Sequence, residues 1–222
     1  MKHNLNRQIV LDTETTGLLL KDKHRIIEIG CVEIVNRNIT GKTFHQYINP
    51  ERNNDPGAYA IHGISNKFLQ DKPKFKQIAP DFIEFIKGAE LIIHNAPFDV
   101  GFLNYELSLL PQITNLTDIC TITDSLGLAK SLYPGTSNSL SKLCSRFGID
   151  DSHRELHGAL LDAELLAEVY LIITSAQIEL DLKNITYKID SKITEQINHL
   201  PVIKATSQEL DAHNKLMKHI SN

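Results

Sequence analysis

The hydrophobic pattern of this chain changes its period near residue 75, and that change limits the folds open to it. Before it stand three stretches with strand character. Ile9-Val-Leu11 is a short, partly β-branched run that leads into Asp12 and the turn-like Thr15-Thr-Gly17. Within Arg25–Val35, Ile27, Ile29 and Val35 are interleaved with Glu28 and Glu33, as on a strand. Thr43–Ile48 reads as a third strand after a turn at Thr40-Gly41. After the change, Phe75, Ile78, Ala79, Phe82, Ile83, Phe85 and Ile86 fall mostly at helical spacing, with Gly88 placed as a C-cap. Leu91-Ile-Ile93 has the look of a buried strand, and helices are predicted over Phe98–Leu110, Asp124–Leu132, Ser139–Phe147 and Ala159–Thr174. Strands first and alternation afterwards predict an α/β domain, its mixed sheet opening with an antiparallel meander and flanked by helices.

The chain has 222 residues, one domain and a surplus at ~150 residues per domain. The pattern places an α/β domain at 1–174 and a tail at 175–222, where six lysines face six acidic residues and apolar residues thin out. Thr206-Ser-Gln-Glu209 is a capping-box pattern that would open a helix carrying Leu210, Leu216, Met217 and Ile220. Lys and Arg total 23 against 27 Asp and Glu, a net charge of −4. Such a balance excludes a protein that holds nucleic acid mainly by a large basic surface. Cys31, Cys120 and Cys144 are odd in number and lack metal-site spacing, which fits a reducing cytosol. The start has no apolar h-region and no apolar run approaches ~18 residues, so a cytoplasmic protein with no membrane span is expected.

Three acidic pieces carry the chemistry. Asp12 and Glu14, two apart on a strand, point to one face. Asp99 follows His94-Asn-Ala-Pro-Phe98 just beyond the strand at 91–93. His157 and Asp162 are five apart, about 140° on an ideal helix, so they cannot share a helical face. Asp162 is therefore expected on the helix and His157 in the segment entering it, with Gly158 easing the entry. Each piece alone has a plainer reading: solvated strand acids, a helix N-terminal acid, a surface histidine. Taken together, four carboxylates converge at neutral pH only if cations neutralise them. Two Mg²⁺ or Mn²⁺ would supply that charge, and a pair ~3.5–4 Å apart suits in-line attack on a phosphodiester. A nearby histidine, with an unperturbed pKa of ~6.5, can take the proton of the attacking water.

Asp12-Thr-Glu-Thr-Thr-Gly17, His94-Asn-Ala-Pro-Phe-Asp99 and His157-Gly-Ala-Leu-Leu-Asp162 resemble, in order and separation, the three motifs of the DEDDh exonucleases. With Ile26-Ile-Glu-Ile-Gly30 and Ile61-His-Gly-Ile64, the likeness over about residues 7–174 is closest to the members that proofread for bacterial replicative polymerases. The resemblance implies a ribonuclease H-like three-layer fold with a mixed five-stranded sheet. It also implies 3′–5′ removal of mispaired nucleotides from a frayed DNA end, with release of nucleoside 5′-monophosphates. By the same resemblance, Asp12, Glu14, Asp99 and Asp162 would hold two metal ions and His157 would be the general base. Thr15, Thr16 and His62 would touch the 3′-terminal nucleotide, with Asn95 supporting the site. In the tail, Gln177-Ile-Glu-Leu-Asp-Leu182 is similar to peptides that enter the sliding clamp through positions such as Gln177, Leu180 and Leu182. Leu200-Pro-Val-Ile203 and the Thr206–Ile220 helix resemble a segment that holds the polymerase subunit, beyond a linker at about 183–199. Two rivals stand beside this reading. One is an RNA-trimming exonuclease of the same superfamily, against which the tail argues. The other is a non-catalytic scaffold, against which the full set of acids argues.

Overall fold

A computed structural model of the chain describes residues 7–111, 115–154, 156–175, 207–209, 213 and 217. The chain divides into two units, Met1–Ala176 and Gln177–Asn222, and the account below concerns the first. Residues 177–182 and the linker lie outside the described residues. Of the segment from 200 onward only 207–209, 213 and 217 are described, all helical.

Five strands form one sheet. In chain order they are β1 (Arg7–Thr15), β2 (Ile26–Val35), β3 (Asn38–Tyr47), β4 (Glu90–Ile93) and β5 (Thr121–Asp124). Their spatial order is β3-β2-β1-β4-β5. β1–β2 and β2–β3 pair antiparallel, while β1–β4 and β4–β5 pair parallel. The predicted opening meander is present, with its turn moved. Asn36 and Arg37, at φ 50° and 63°, make the β2–β3 hairpin turn, since a two-residue turn of this hand needs positive φ at both positions. Gly41, at φ 80°, lies inside β3 instead, where the register with β2 shifts between Val32 and Ile34. It marks a bulge rather than the turn, the other use of an isolated glycine in a strand.

The helices are α1 (Pro56–His62), α2 (Asn66–Leu69), α3 (Phe75–Ile86), α4 (Ala96–Ser108), α5 (Leu116–Ile119), α6 (Ser125–Leu132) and α7 (Leu140–Phe147). A further helix, α8, spans 159–175. The short α1 and α2 have no apolar period to announce them. α1 begins with Pro56 at its first position and ends at Gly63 in the left-handed region, a pairing that starts and stops helices.

Alternation along β1 divides the core in two. Ile9, Leu11, Leu91 and Ile93 pack with Phe82 of α3 and Phe102 of α4 on one face. Val10, Val32 and Ile92 pack with Leu143 of α7 and Leu166, Val169 and Tyr170 of α8 on the other. Emptying a site such as Phe82 or Phe102, both fully buried, costs about 3–5 kcal/mol. The three cysteines are free and buried. No helix among the described residues is long and apolar enough to cross a membrane.

Candidate active site

The carboxyl ends of β1 and β4 open onto a cleft between the two helical layers, where α/β sheets tend to receive ligands. Asp12 and Glu14 stand on the last turns of the pleat of β1, facing the α8 side. β2 brings Gly30 directly opposite Asp12. A side chain at Gly30 would lie 2.3 Å from the backbone of Ala159 and Leu160, so this glycine lets the start of α8 rest on the sheet. That contact sets Asp162 above the strand acids. Asp99 comes from the opposite layer. α4 starts immediately beyond β4, and Thr13, pointing to that side, donates from Oγ1 to Asp99 Oδ1 at 2.6 Å.

The start of α4 is itself held from β5. Asp124 Oδ1 accepts from the backbone N–H of Asn95 at 3.0 Å and of Ala96 at 3.2 Å, and also from Leu126 N–H at 3.2 Å. One carboxylate thus caps two helices. Asn95 takes the left-handed conformation, φ 67°, which Asn tolerates better than most residues. His94 is tied down, Nδ1 to Ser125 Oγ at 3.0 Å and Nε2 to the Asn138 carbonyl at 2.9 Å. Burial holds its pKa below the ordinary value, so it anchors the 133–139 loop as a neutral ring.

One lobe of the cleft, about 410 Å³, is lined by Asp12, Glu14, Asp99, His157 and Asp162, together with Asn95, Ser141 and Arg154. Glu14, His157 and Asp162 each offer a ligand atom within 4.8 Å of the others. His157 precedes α8 and Asp162 sits within it, as their spacing predicts; His157 Nδ1 is 3.1 Å from Asp162 Oδ2. Gly158 is not among the residues with left-handed backbone, so the entry does not depend on glycine's freedom.

The electrostatics divide the acids. Burial, then Asp99, Glu14 and Asp162, push Asp12 well above the usual carboxylate range. Burial and then Asp162, Glu28 and Asp99 raise Glu14 to about 8. Glu28 faces Glu14 across the β1–β2 pairing. Burial raises Asp99 to about 7, with the Thr13 hydrogen bond opposing. Asp162 alone is lowered, because hydrogen bonds from His157 and Arg154 outweigh its burial. Three acids that resist ionisation beside one another, all with hard oxygen donors, suit divalent cations that would restore their charge.

A second lobe shares Thr13, Glu14 and Phe98 with the first and is lined further by Thr15, Leu18, Ile61 and His62. Thr15 donates to the Gly17 carbonyl at 2.8 Å. His62 is 4% exposed, and its Nδ1 accepts from Ile64 N–H at 2.9 Å. Its Nε2 therefore carries the ring proton, and it has no protein partner among the described residues. Thr16 does not join this lining. Fully buried, its hydroxyl meets His24 Nδ1 at 2.9 Å and accepts from Arg25 N–H at 3.0 Å. The same His24 ring leaves no room for a side chain at Gly17, whose added carbon would sit 2.3 Å from it.

Sequence reasoning missed Thr13, Asp124 and Arg154. Arg154 lies in the charged run Asp150–Arg154, which reads as solvated surface, and nothing in the spacing distinguishes it.

The exonuclease family profile RNase_T matches residues 9–170. DNA polymerase III subunit epsilon of Haemophilus influenzae is 47% identical, with 97% of this chain and 91% of that protein aligned. The epsilon subunit of Escherichia coli is 48% identical over 96% of this chain and 93% of its own length. Among solved structures, Exonuclease X in complex with 5′-overhanging duplex DNA matches at TM-score 0.59 and 25% identity, covering 76% of this chain and 92% of that one. A 3′-exonuclease that recognises a histone mRNA stem-loop matches at TM-score 0.64 and 20% identity, covering 77% and 64%. That likeness concerns the fold alone.

Proposed function

The chain belongs to the exonuclease family, and within it to the DNA polymerase III epsilon subunits; from that premise we propose how its cleft removes mispaired 3′-terminal nucleotides from DNA beside a replicative polymerase. One observation carries the reading: four carboxylates from β1, α4 and α8 meet a histidine at a single sheet edge. In this reading Asp12, Glu14, Asp99 and Asp162 hold two divalent ions, Mg²⁺ or Mn²⁺. When bound, these supply the charge that draws a water toward its anionic form and stabilises the leaving 3′ oxygen. His157 is the general base. It is 46% exposed at its side chain and lies beside Asp162, so a proton it accepts can pass to solvent. The second lobe receives the terminal nucleotide, with the Nε2–H of His62 as a donor and Thr15 as a flanking contact, while Asn95 supports the site from the first lobe. Thr16 supports the site from beneath, by fixing the Thr-Thr-Gly turn.

A protein of net charge −4 gains little from non-specific DNA attraction, so tethering to the polymerase would raise the local concentration of primer ends. We assign that tether to about residues 200–220 and a sliding-clamp peptide to 177–182, acting in the cytoplasm where replication proceeds. Selectivity follows from fraying, since an unpaired end unstacks at lower cost.

The test is hydrolysis of 3′-labelled single-stranded DNA and RNA of matched sequence, with Mg²⁺, Mn²⁺ or EDTA, for wild type and His157→Ala. Stepwise 3′–5′ loss of DNA, dependent on metal and abolished in the variant, is the expected result. A clear preference for RNA would overturn the proofreading assignment. Deleting 200–222 should leave hydrolysis intact and remove polymerase binding; full affinity in the truncated chain would refute the tether.

A further inference from the structure

One cation stands inside the acid lobe. Arg154 is the sole Lys or Arg among the described residues that line it. Its guanidinium forks Asp162, Nε to Oδ1 at 2.5 Å and Nη2 to Oδ2 at 2.6 Å. Nη1 donates to Ser141 Oγ on α7 at 2.6 Å, and Nη2 lies 2.9 Å from His157 Nδ1. The two side chains of the pair are 9% and 4% exposed. A fork of this kind is the strongest hydrogen-bonded form of an ion pair, and it fixes direction as well as distance.

This arrangement conflicts with a loaded site. Both oxygens of Asp162 are engaged by Arg154, yet Asp162 is one of the carboxylates assigned to the metal ions. A guanidinium and a divalent cation on the same carboxylate repel one another at short range, where screening is weak. We propose that Arg154 is a resident counter-ion and positioning residue: it keeps Asp162 and His157 aligned while the site is metal-free, and a divalent ion binds by displacing its guanidinium from Asp162.

The inference rests on the metal site proposed above, and binding measurements separate the two. Mn²⁺ is titrated calorimetrically into the full chain as wild type, Arg154→Met and Ser141→Ala, with thermal melts of each in EDTA. Arg154→Met should bind Mn²⁺ about tenfold more tightly, ~1.4 kcal/mol, and melt lower in EDTA. Ser141→Ala touches no assigned metal ligand and removes only an anchor of the guanidinium, so it should shift affinity in the same direction by less. It carries the test alone if Arg154→Met does not fold. Unchanged or weakened Mn²⁺ affinity in the folded variants would overturn the displacement role and make Arg154 a fixed brace. Failure of the wild type to take up Mn²⁺ at all would overturn the metal site and this inference together.

Discussion

The two sides of the acid lobe are built by different means. Asp12 and Glu14 belong to the central strand: β2 pairs with both of them, and β4 with the residues just before them, 8–11. Asp162 rides on α8, seated by Gly30, but its carboxylate is oriented by a side chain, the Arg154 fork, which also reaches His157. The charges differ accordingly. On the strand side burial and mutual repulsion raise the carboxylates' pKa values despite the nearby charge of Arg154, while the loop side pairs its acid directly and lowers it. Rigid backbone can hold like charges together against repulsion, whereas a site framed by side chains needs an opposite charge to keep its shape.

Substitutions on the two sides should therefore agree in activity and disagree in stability. Asp12→Asn and Asp162→Asn should each reduce metal-dependent hydrolysis by ~10³-fold or more, measured on labelled single-stranded DNA. In EDTA they should part. Asp162→Asn leaves the Arg154 guanidinium buried without its counter-ion, a loss of about 3 kcal/mol in denaturant melts, while Asp12→Asn relieves crowding and should melt at or above wild type. Equal destabilisation by both would erase the distinction.

The pH dependence sharpens it. Unfolded Glu14 loses its proton near its usual 4.5, whereas folded Glu14 keeps it to about 8. Between those values the folded state binds more protons, so metal-free stability falls as pH rises from about 4.5 to about 8. Glu14→Gln should flatten that slope and stabilise the metal-free protein at pH 8 by a few kcal/mol. Asp162 has the opposite sign: its contribution is lost as pH falls below the ordinary carboxylate range.

Gly30→Ala tests the seat of α8, because the added carbon cannot stay 2.3 Å from backbone; displacement should cost ~1–3 kcal/mol and lower activity by moving Asp162. Asp124→Ala, which uncaps α4 and α6, should cost ~1–2 kcal/mol and chiefly loosen Asp99.

Much of this was legible in the residues. The switch from period 2 to helical spacing placed four of the five strands and the longer helices, because burial on one face imposes that spacing. The two-residue gap of Asp12 and Glu14 and the five-residue gap of His157 and Asp162 predicted one shared strand face and one helix with its entry. β5 escaped notice, since Thr121-Ile-Thr-Asp124 is short and its outer edge unpaired. The hairpin turn escaped because Asn36-Arg37 lacks the glycine that announces such turns. Thr16 looked like a substrate contact beside Thr15, yet the neighbouring position turns its hydroxyl inward to His24. Arg154 could not be found this way: its partner lies on the same short stretch, but only the fold turns the pair into the cleft.

The pairing of β1 on both edges bears on how the molecule comes apart. Amide hydrogens along 8–11, locked between β2 and β4, should exchange with solvent only when the whole domain unfolds. Those of Ile149, Arg154 and His157, each bonded to a single carbonyl outside the sheet, should exchange through small local openings. An exchange experiment would then watch the site open from one side, with the strand carboxylates still in place after the histidine has left.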